Sequence, residues 1–167
     1  MDAQTKKTAL RMIPYGLYVL TAESKDARVA ASTVNWVTQA SFEPPLVAVG
    51  VKADSATHEI IKEAGVFALN VLGKDQQSLA FTFFKSLDRE GDSIGGQTFS
   101  IGKSGAPVLD DAAAVLECSL VDTLEHGDHS VFLGEVQQAN VKREISGRPD
   151  LETLALADLG ETTFYGG

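Results

Sequence analysis

Ala27-Arg-Val-Ala-Ala-Ser-Thr-Val-Asn-Trp-Val-Thr-Gln-Ala-Ser-Phe42 is the stretch on which the fold turns. Val29, Thr33, Val34, Trp36, Val37 and Thr38 are β-branched or aromatic, so the segment reads as extended backbone. A strand with one wet face alternates polar and apolar residues, yet here Ser32, Thr33, Asn35, Thr38, Gln39 and Ser41 fall on both parities. Two readings follow: an exposed strand with polar decoration, or a strand edge facing something flat and hydrogen-bonding. Beyond Glu43-Pro-Pro45 comes Leu46-Val-Ala-Val-Gly-Val51, an uninterrupted apolar run of strand length, as expected when both faces are covered.

Outward from this centre, Gly16–Ala22 and Val66–Leu72 read as strands, as do Val115–Glu125 and Ser130–Lys142, joined across His126-Gly-Asp-His129. Three helices are predicted. Thr5–Ile13 has Ala9, Leu10 and Ile13 on one side and stops at Pro14. Ala56–Ala64 would bury Ile60, Ile61 and Ala64 and end at Gly65. Gln76–Lys85 would turn Leu79, Ala80, Phe83 and Phe84 to a core. Ser86–Pro107, rich in Gly, Ser and Asp, reads mostly as loop with a short strand at Gln97–Ile101. Strands outnumber helices and follow one another through turns, so the expected fold is mainly β: an antiparallel, Greek-key-like barrel with attached helices. Nothing divides the chain, and residues 1–167 are taken as a single domain.

The 167 residues are enough for one compact core; 44% are hydrophobic and 22% charged, an ordinary globular composition. Fourteen basic against twenty-three acidic residues give a net charge of −9, which disfavours nucleic acid or an anionic lipid surface as partner. The single cysteine, Cys118, allows no intrachain disulfide and no cysteine-based zinc site. No apolar leader or membrane-length stretch is evident, and a cytoplasmic location is the expectation.

Ala31-Ser-Thr-Val-Asn-Trp-Val-Thr-Gln-Ala-Ser-Phe-Glu-Pro-Pro-Leu46 resembles the flavin-binding segment of the flavin reductase-like family. The likeness continues in order through Ser55-Ala-Thr-His58, Phe67-Ala-Leu-Asn-Val-Leu72, Leu79-Ala80, Pro107-Val-Leu109, Leu116-Glu-Cys118 and Gly127-Asp-His-Ser-Val-Phe-Leu-Gly-Glu-Val136. The chain is also similar to the reductase component of two-component flavin monooxygenases and to the reductase module of flavodiiron proteins. The resemblance implies a homodimeric split β-barrel that binds FMN, with FAD left open. It implies hydride transfer from NAD(P)H to flavin N5, and an oxygenase or other redox partner. It places flavin contacts at Ser32, Thr33, Val34, Asn35, Trp36, Thr38, Ser41, Val51, Lys52, Ser55, Thr57 and His58, and a nicotinamide-side catalytic role at His129. Ser86–Gly96 departs from many family members, which leaves adenine-side contacts and the choice of NADH or NADPH open.

The residue chemistry is compatible with those roles without requiring them. Backbone amides and short side chains of Ala31–Ser41 suit the polar rim of an isoalloxazine ring. Lys52-Ala-Asp-Ser-Ala-Thr-His58 links a strand to a helix, where free amides and the helix dipole attract a phosphate, with Lys52, Ser55 and Thr57 adding donors. The alternative there is plain capping by Asp54 or Ser55. On the Gly127-Asp128-His129 turn, Asp128 can orient the imidazole, or His129 can be a structural turn residue.

Other motifs fall away. Gly96–Ser104 has five residues between its glycines where a P-loop needs four, and no GxGxxG or G-x-S-x-G is present. His126 and His129 lack a third metal ligand, and Cys118 lies in an apolar run. Two further functions stay open: an FMN-holding electron-transfer or ferric-type module without an efficient nicotinamide site, and a pyridoxamine-phosphate-oxidase-like barrel with another ligand.

Overall fold

The structure, a computed structural model, describes all residues from Met1 to Gly167. The pivotal stretch is broken at Asn35-Trp36 into β2 (Val29–Val34) and β3 (Val37–Ser41). This corrects the expectation of one continuous strand. With β1 (Tyr18–Glu23), β4 (Leu46–Lys52), β5 (Val66–Val71), β10 (Ala114–Glu125) and β11 (His129–Val141), they form a seven-stranded sheet in the order β2-β1-β5-β10-β11-β4-β3. Every pairing is antiparallel. The two edge strands are halves of one chain segment, so Asn35-Trp36 spans both edges and the sheet must curl to bring them together. The Gly50 amide donates to the Trp36 carbonyl at 2.8 Å and seals that seam.

Two apolar clusters lie on opposite faces of the sheet. The barrel interior holds Leu20, Ala30, Val47, Val49, Val51, Phe67, Leu69, Cys118 and Phe132, and is plugged at one end by Ile60 and Ile61 of α2 (Ala56–Ala64). The outer face of β1, β2 and β5 offers Val19, Val29, Ala31 and Ala68. These pack against Leu79, Ala80 and Phe83 around α3 (Gln77–Thr82) and against a four-stranded sheet. That sheet comprises β6 (Arg89–Glu90), β7 (Ser93–Ile94), β8 (Gln97–Ile101) and β9 (Pro107–Leu109). Of Ser86–Pro107, expected to be mostly loop, only β8 is where the sequence predicts a strand. The two-residue strands β6 and β7 are too short for periodicity to register. They pair through turns at Gly91, Gly95 and Gly96, all at positive φ.

Burial in β4 alternates, with Val47, Val49 and Val51 inside and Leu46, Ala48 and Gly50 half-buried. The apolar run predicted two covered faces; within one chain β4 has one. At the barrel end away from α2, Tyr18, Val37, Pro45, Leu46, Leu116 and Val136 line an open groove of about 470 Å³. α1 (Ala3–Arg11) buries none of its residues, and Leu10 and Ile13, expected to face a core, are exposed. Ala64 is half-buried, and Phe84, also expected inside, is exposed beside Phe81. No helix is long and apolar enough to cross a membrane.

Candidate functional site

The site forms where the Asn35-Trp36 seam meets the β4–α2 junction, the start of β11 and the C-terminal segment. Trp36 packs on Gly50, where a methyl group would approach the indole to 3.0 Å, so the strand must be bare there. The indole lies 4.6 Å, centroid to centroid, from His129 and 5.5 Å from Tyr165. Its Nε1–H is buried with no hydrogen-bond partner, an orphan donor at the seam.

β-Pairing sets Lys52 opposite His129. The Ala53 amide donates to the Asp128 carbonyl at 2.9 Å and fixes the turn. His129 Nδ1 meets Asp128 Oδ1 at 2.9 Å, and Nε2 meets the Tyr165 hydroxyl at 2.6 Å. The bond to His129 holds the Asp128 carboxyl below the usual carboxylate range. Burial pushes the Tyr165 phenol up, the nearby Lys52 opposing that rise.

α2 is capped by Ser55, whose Oγ accepts from the His58 amide at 3.2 Å and donates to the Lys52 carbonyl at 2.7 Å. Of the two expected capping residues it is Ser55, rather than Asp54, that caps. The Ala56 and Thr57 amides occupy the first two helical positions, where no intrahelical acceptor exists, so this end keeps anion-binding capacity. Lys52 Nζ lies 3.1 Å from Asp54, which raises the lysine's pKa. An incoming anion would compete with Asp54 for that charge.

The expected contact residues divide into groups. Lys52, Ser55, Asn35, Trp36 and His129 converge on the site. The Ser32 and Thr57 hydroxyls also meet there, but they bond each other at 2.6 Å and Thr57 is buried. Thr57 therefore offers its amide more readily than its hydroxyl. Thr33 donates to the Ala80 carbonyl at 2.7 Å, tying β2 to α3, and with Val34 and Asn35 it lines a cavity of about 230 Å³ beside Phe164 and Tyr165. Val51 and His58 face inward: Val51 is core, and the His58 imidazole bonds Ser130 Oγ at 2.9 Å against Phe132. Their side chains are packing groups. Thr38 and Ser41 lie along β3 toward the open groove; Ser41 pairs with Leu46, six residues before Lys52 and so about 20 Å away along the strand.

Tyr165 is the residue sequence reasoning missed. Its hydroxyl reaches His129, and its carbonyl accepts from Asn35 Nδ2 at 3.2 Å. A lone aromatic near the end of a chain gives no spacing signal. A larger cleft of about 560 Å³ lies nearby between Arg11–Tyr18 and the C-terminal segment. Arg89 pairs with Glu23 at 3.1 Å and covers Phe99, pinning β6 to β1. No three His, Cys, Asp or Glu side chains come together as a metal site.

A curled antiparallel barrel with an aromatic-walled seam beside a helix N-terminus defines the class as a small antiparallel β-barrel with attached helices. Residues 10–158 match the family described as Flavin reductase like domain, and the chain belongs to that family. It is 32% identical over 146 residues to the Flavin reductase of Pseudomonas putida, covering 87% of this chain and 84% of the relative. It is 36% identical over 135 residues to the High molecular weight rubredoxin of Moorella thermoacetica, covering 80% of this chain and 58% of the relative. The NADH:FAD oxidoreductase SgcE6 of Streptomyces globisporus, solved in complex with NAD and FAD fragments, superposes with a TM-score of 0.69 at 30% identity, over 83% of this chain and 81% of that one. Several relatives are longer: the chain spans 42% of one and 25% of another.

Proposed function

We propose that this chain is an FMN-binding oxidoreductase that reduces flavin with NAD(P)H and works as a homodimer. The observation that carries this reading is the convergence of donors at the seam. The Ala56 and Thr57 amides and the Lys52 ammonium, beside the Trp36 indole, suit a ligand that is flat at one end and anionic at the other. Bound FMN supplies a two-electron acceptor for hydride. The chain supplies the rest: amides and Lys52 anchor the phosphate, Trp36 and Asn35 border the ring, and His129 stands on the side left for nicotinamide. The names of the relatives support flavin and nicotinamide nucleotide as ligands. The half-buried outer face of β4 and the apolar groove beside it support a second copy of the chain as cover.

FMN and riboflavin titrations of wild-type and Lys52→Ala protein test this reading. Loss of affinity for FMN but not for riboflavin places the phosphate at α2; equal losses remove it from there.

One observation favours the second reading, an FMN-holding electron-transfer module. Both ring nitrogens of His129 are already bonded within the chain. Steady-state NADH and NADPH oxidation with added FMN separates the two, since a module without a nicotinamide site shows no turnover.

A further inference from the structure

We infer that Tyr165 is a positioning residue for His129, holding the imidazole in one tautomer and one orientation beside Trp36. The inference rests on the reading that His129 faces the nicotinamide. Asp128 is an acceptor only, so His129 Nδ1 must carry the proton of their 2.9 Å bond. In the neutral imidazole Nε2 is then a bare acceptor, and the Tyr165 hydroxyl at 2.6 Å donates to it. Burial of the phenol favours its protonated, donating form, as do Asp128 and Asp54; Lys52 acts the other way. Asp128 alone is a weak clamp, because its side chain is 94% exposed and water competes for the carboxylate.

The tyrosine is itself held in place. Asn35, which is buried, donates to the Tyr165 carbonyl; Arg11 donates to the Gly166 carbonyl at 3.2 Å and lies over the Phe164 ring at 4.2 Å. The segment is thus fastened to the seam on one side and to α1 on the other. It forms a fixed wall of the site, with the hydroxyl directed at His129.

Tyr165→Phe removes the hydroxyl and keeps the ring against Trp36; Tyr165→Ala removes both. Trp36 is the only tryptophan, so its emission reports whether the segment stays docked. ¹⁵N NMR of the imidazole reports the tautomer independently of any activity. We expect Tyr165→Phe to keep the wild-type melting temperature and Trp36 emission while His129 gains the Nε2–H tautomer. Anaerobic flavin reduction at saturating NADH or NADPH should slow several-fold with FMN affinity unchanged. Tyr165→Ala should also shift the Trp36 emission. A wild-type tautomer signal in a folded Tyr165→Phe protein overturns the inference. So does faster reduction or tighter nucleotide binding, which would make the tail a competitor for the slot. A changed tautomer with an unchanged reduction rate upholds the positioning role and removes His129 from the nicotinamide side.

Discussion

His129 and Cys118 show how side chains of similar apparent reactivity come to different uses. His129 sits on the barrel's outer face with both nitrogens engaged and Trp36 against its ring, whereas FMN anchoring is assigned to the seam and α2. His129→Ala should therefore slow anaerobic reduction several-fold, by about 0.5–1.5 kcal/mol for one lost hydrogen bond, and leave FMN affinity nearly unchanged. Stopped-flow absorbance with a parallel FMN titration measures both; joint loss of FMN binding and melting temperature would make His129 a folding residue. Cys118 lies inside the barrel with no exposed surface, and burial pushes its thiol up to about 12. Native protein should resist thiol reagents at pH 8 and react only on unfolding. Because the folded thiol's pKa is raised, the stabilisation it contributes is whole below the ordinary thiol range. It is lost as pH rises through the folded value near 12. A Cys118→Val variant should accordingly show a flatter fall in melting temperature between pH 9 and pH 12 than wild type. Polarity and position in an apolar run made Cys118 legible in the sequence. The engagement of His129 was half legible, since Asp128 is its neighbour while Tyr165 arrives from 36 residues away.

At the scale of elements, the capping of α2 is compatible with the anion-binding task proposed for it. Ser55 caps it, and the next two amides stay free for an anion. Ser55→Ala should lower unfolding free energy of the FMN-free protein by about 1 kcal/mol in urea titrations. Lys52→Ala should leave urea stability near wild type, since its pair with Asp54 is exposed. It should weaken FMN by about 1.5–3 kcal/mol if the ammonium meets the phosphate. Calorimetry against FMN and riboflavin reads the difference. Long strands and α2 were legible because their apolar periods are strong and their ends carry stop signals such as Gly65, which adopts φ 71°. The break at Asn35-Trp36 was not, since β-formers continue through it; the mixed polarity on both parities was its only trace. The burial expected of α1 is absent because its apolar side stays exposed; the helix meets the terminal segment through Lys7 and Arg11 instead.

The whole molecule leaves one structural demand unmet: the outer face of β4 is only half-buried and the apolar groove at the barrel end is open in a single chain. Sedimentation at micromolar concentration should show a dimer. A clean monomer with flavin bound would mean that this face needs no second copy. The barrel and its attached helices were legible from strand count and turn spacing, while the small β6–β9 sheet was hidden because its first two strands hold two residues each. The proposed reaction requires FMN bound at the seam. The most direct measurement is titration of the purified protein with FMN by calorimetry, followed by anaerobic addition of NADH or NADPH under a spectrophotometer. The account predicts saturable binding at one FMN per chain and bleaching of the flavin absorbance on nucleotide addition. A correctly folded protein that takes up no FMN would contradict it.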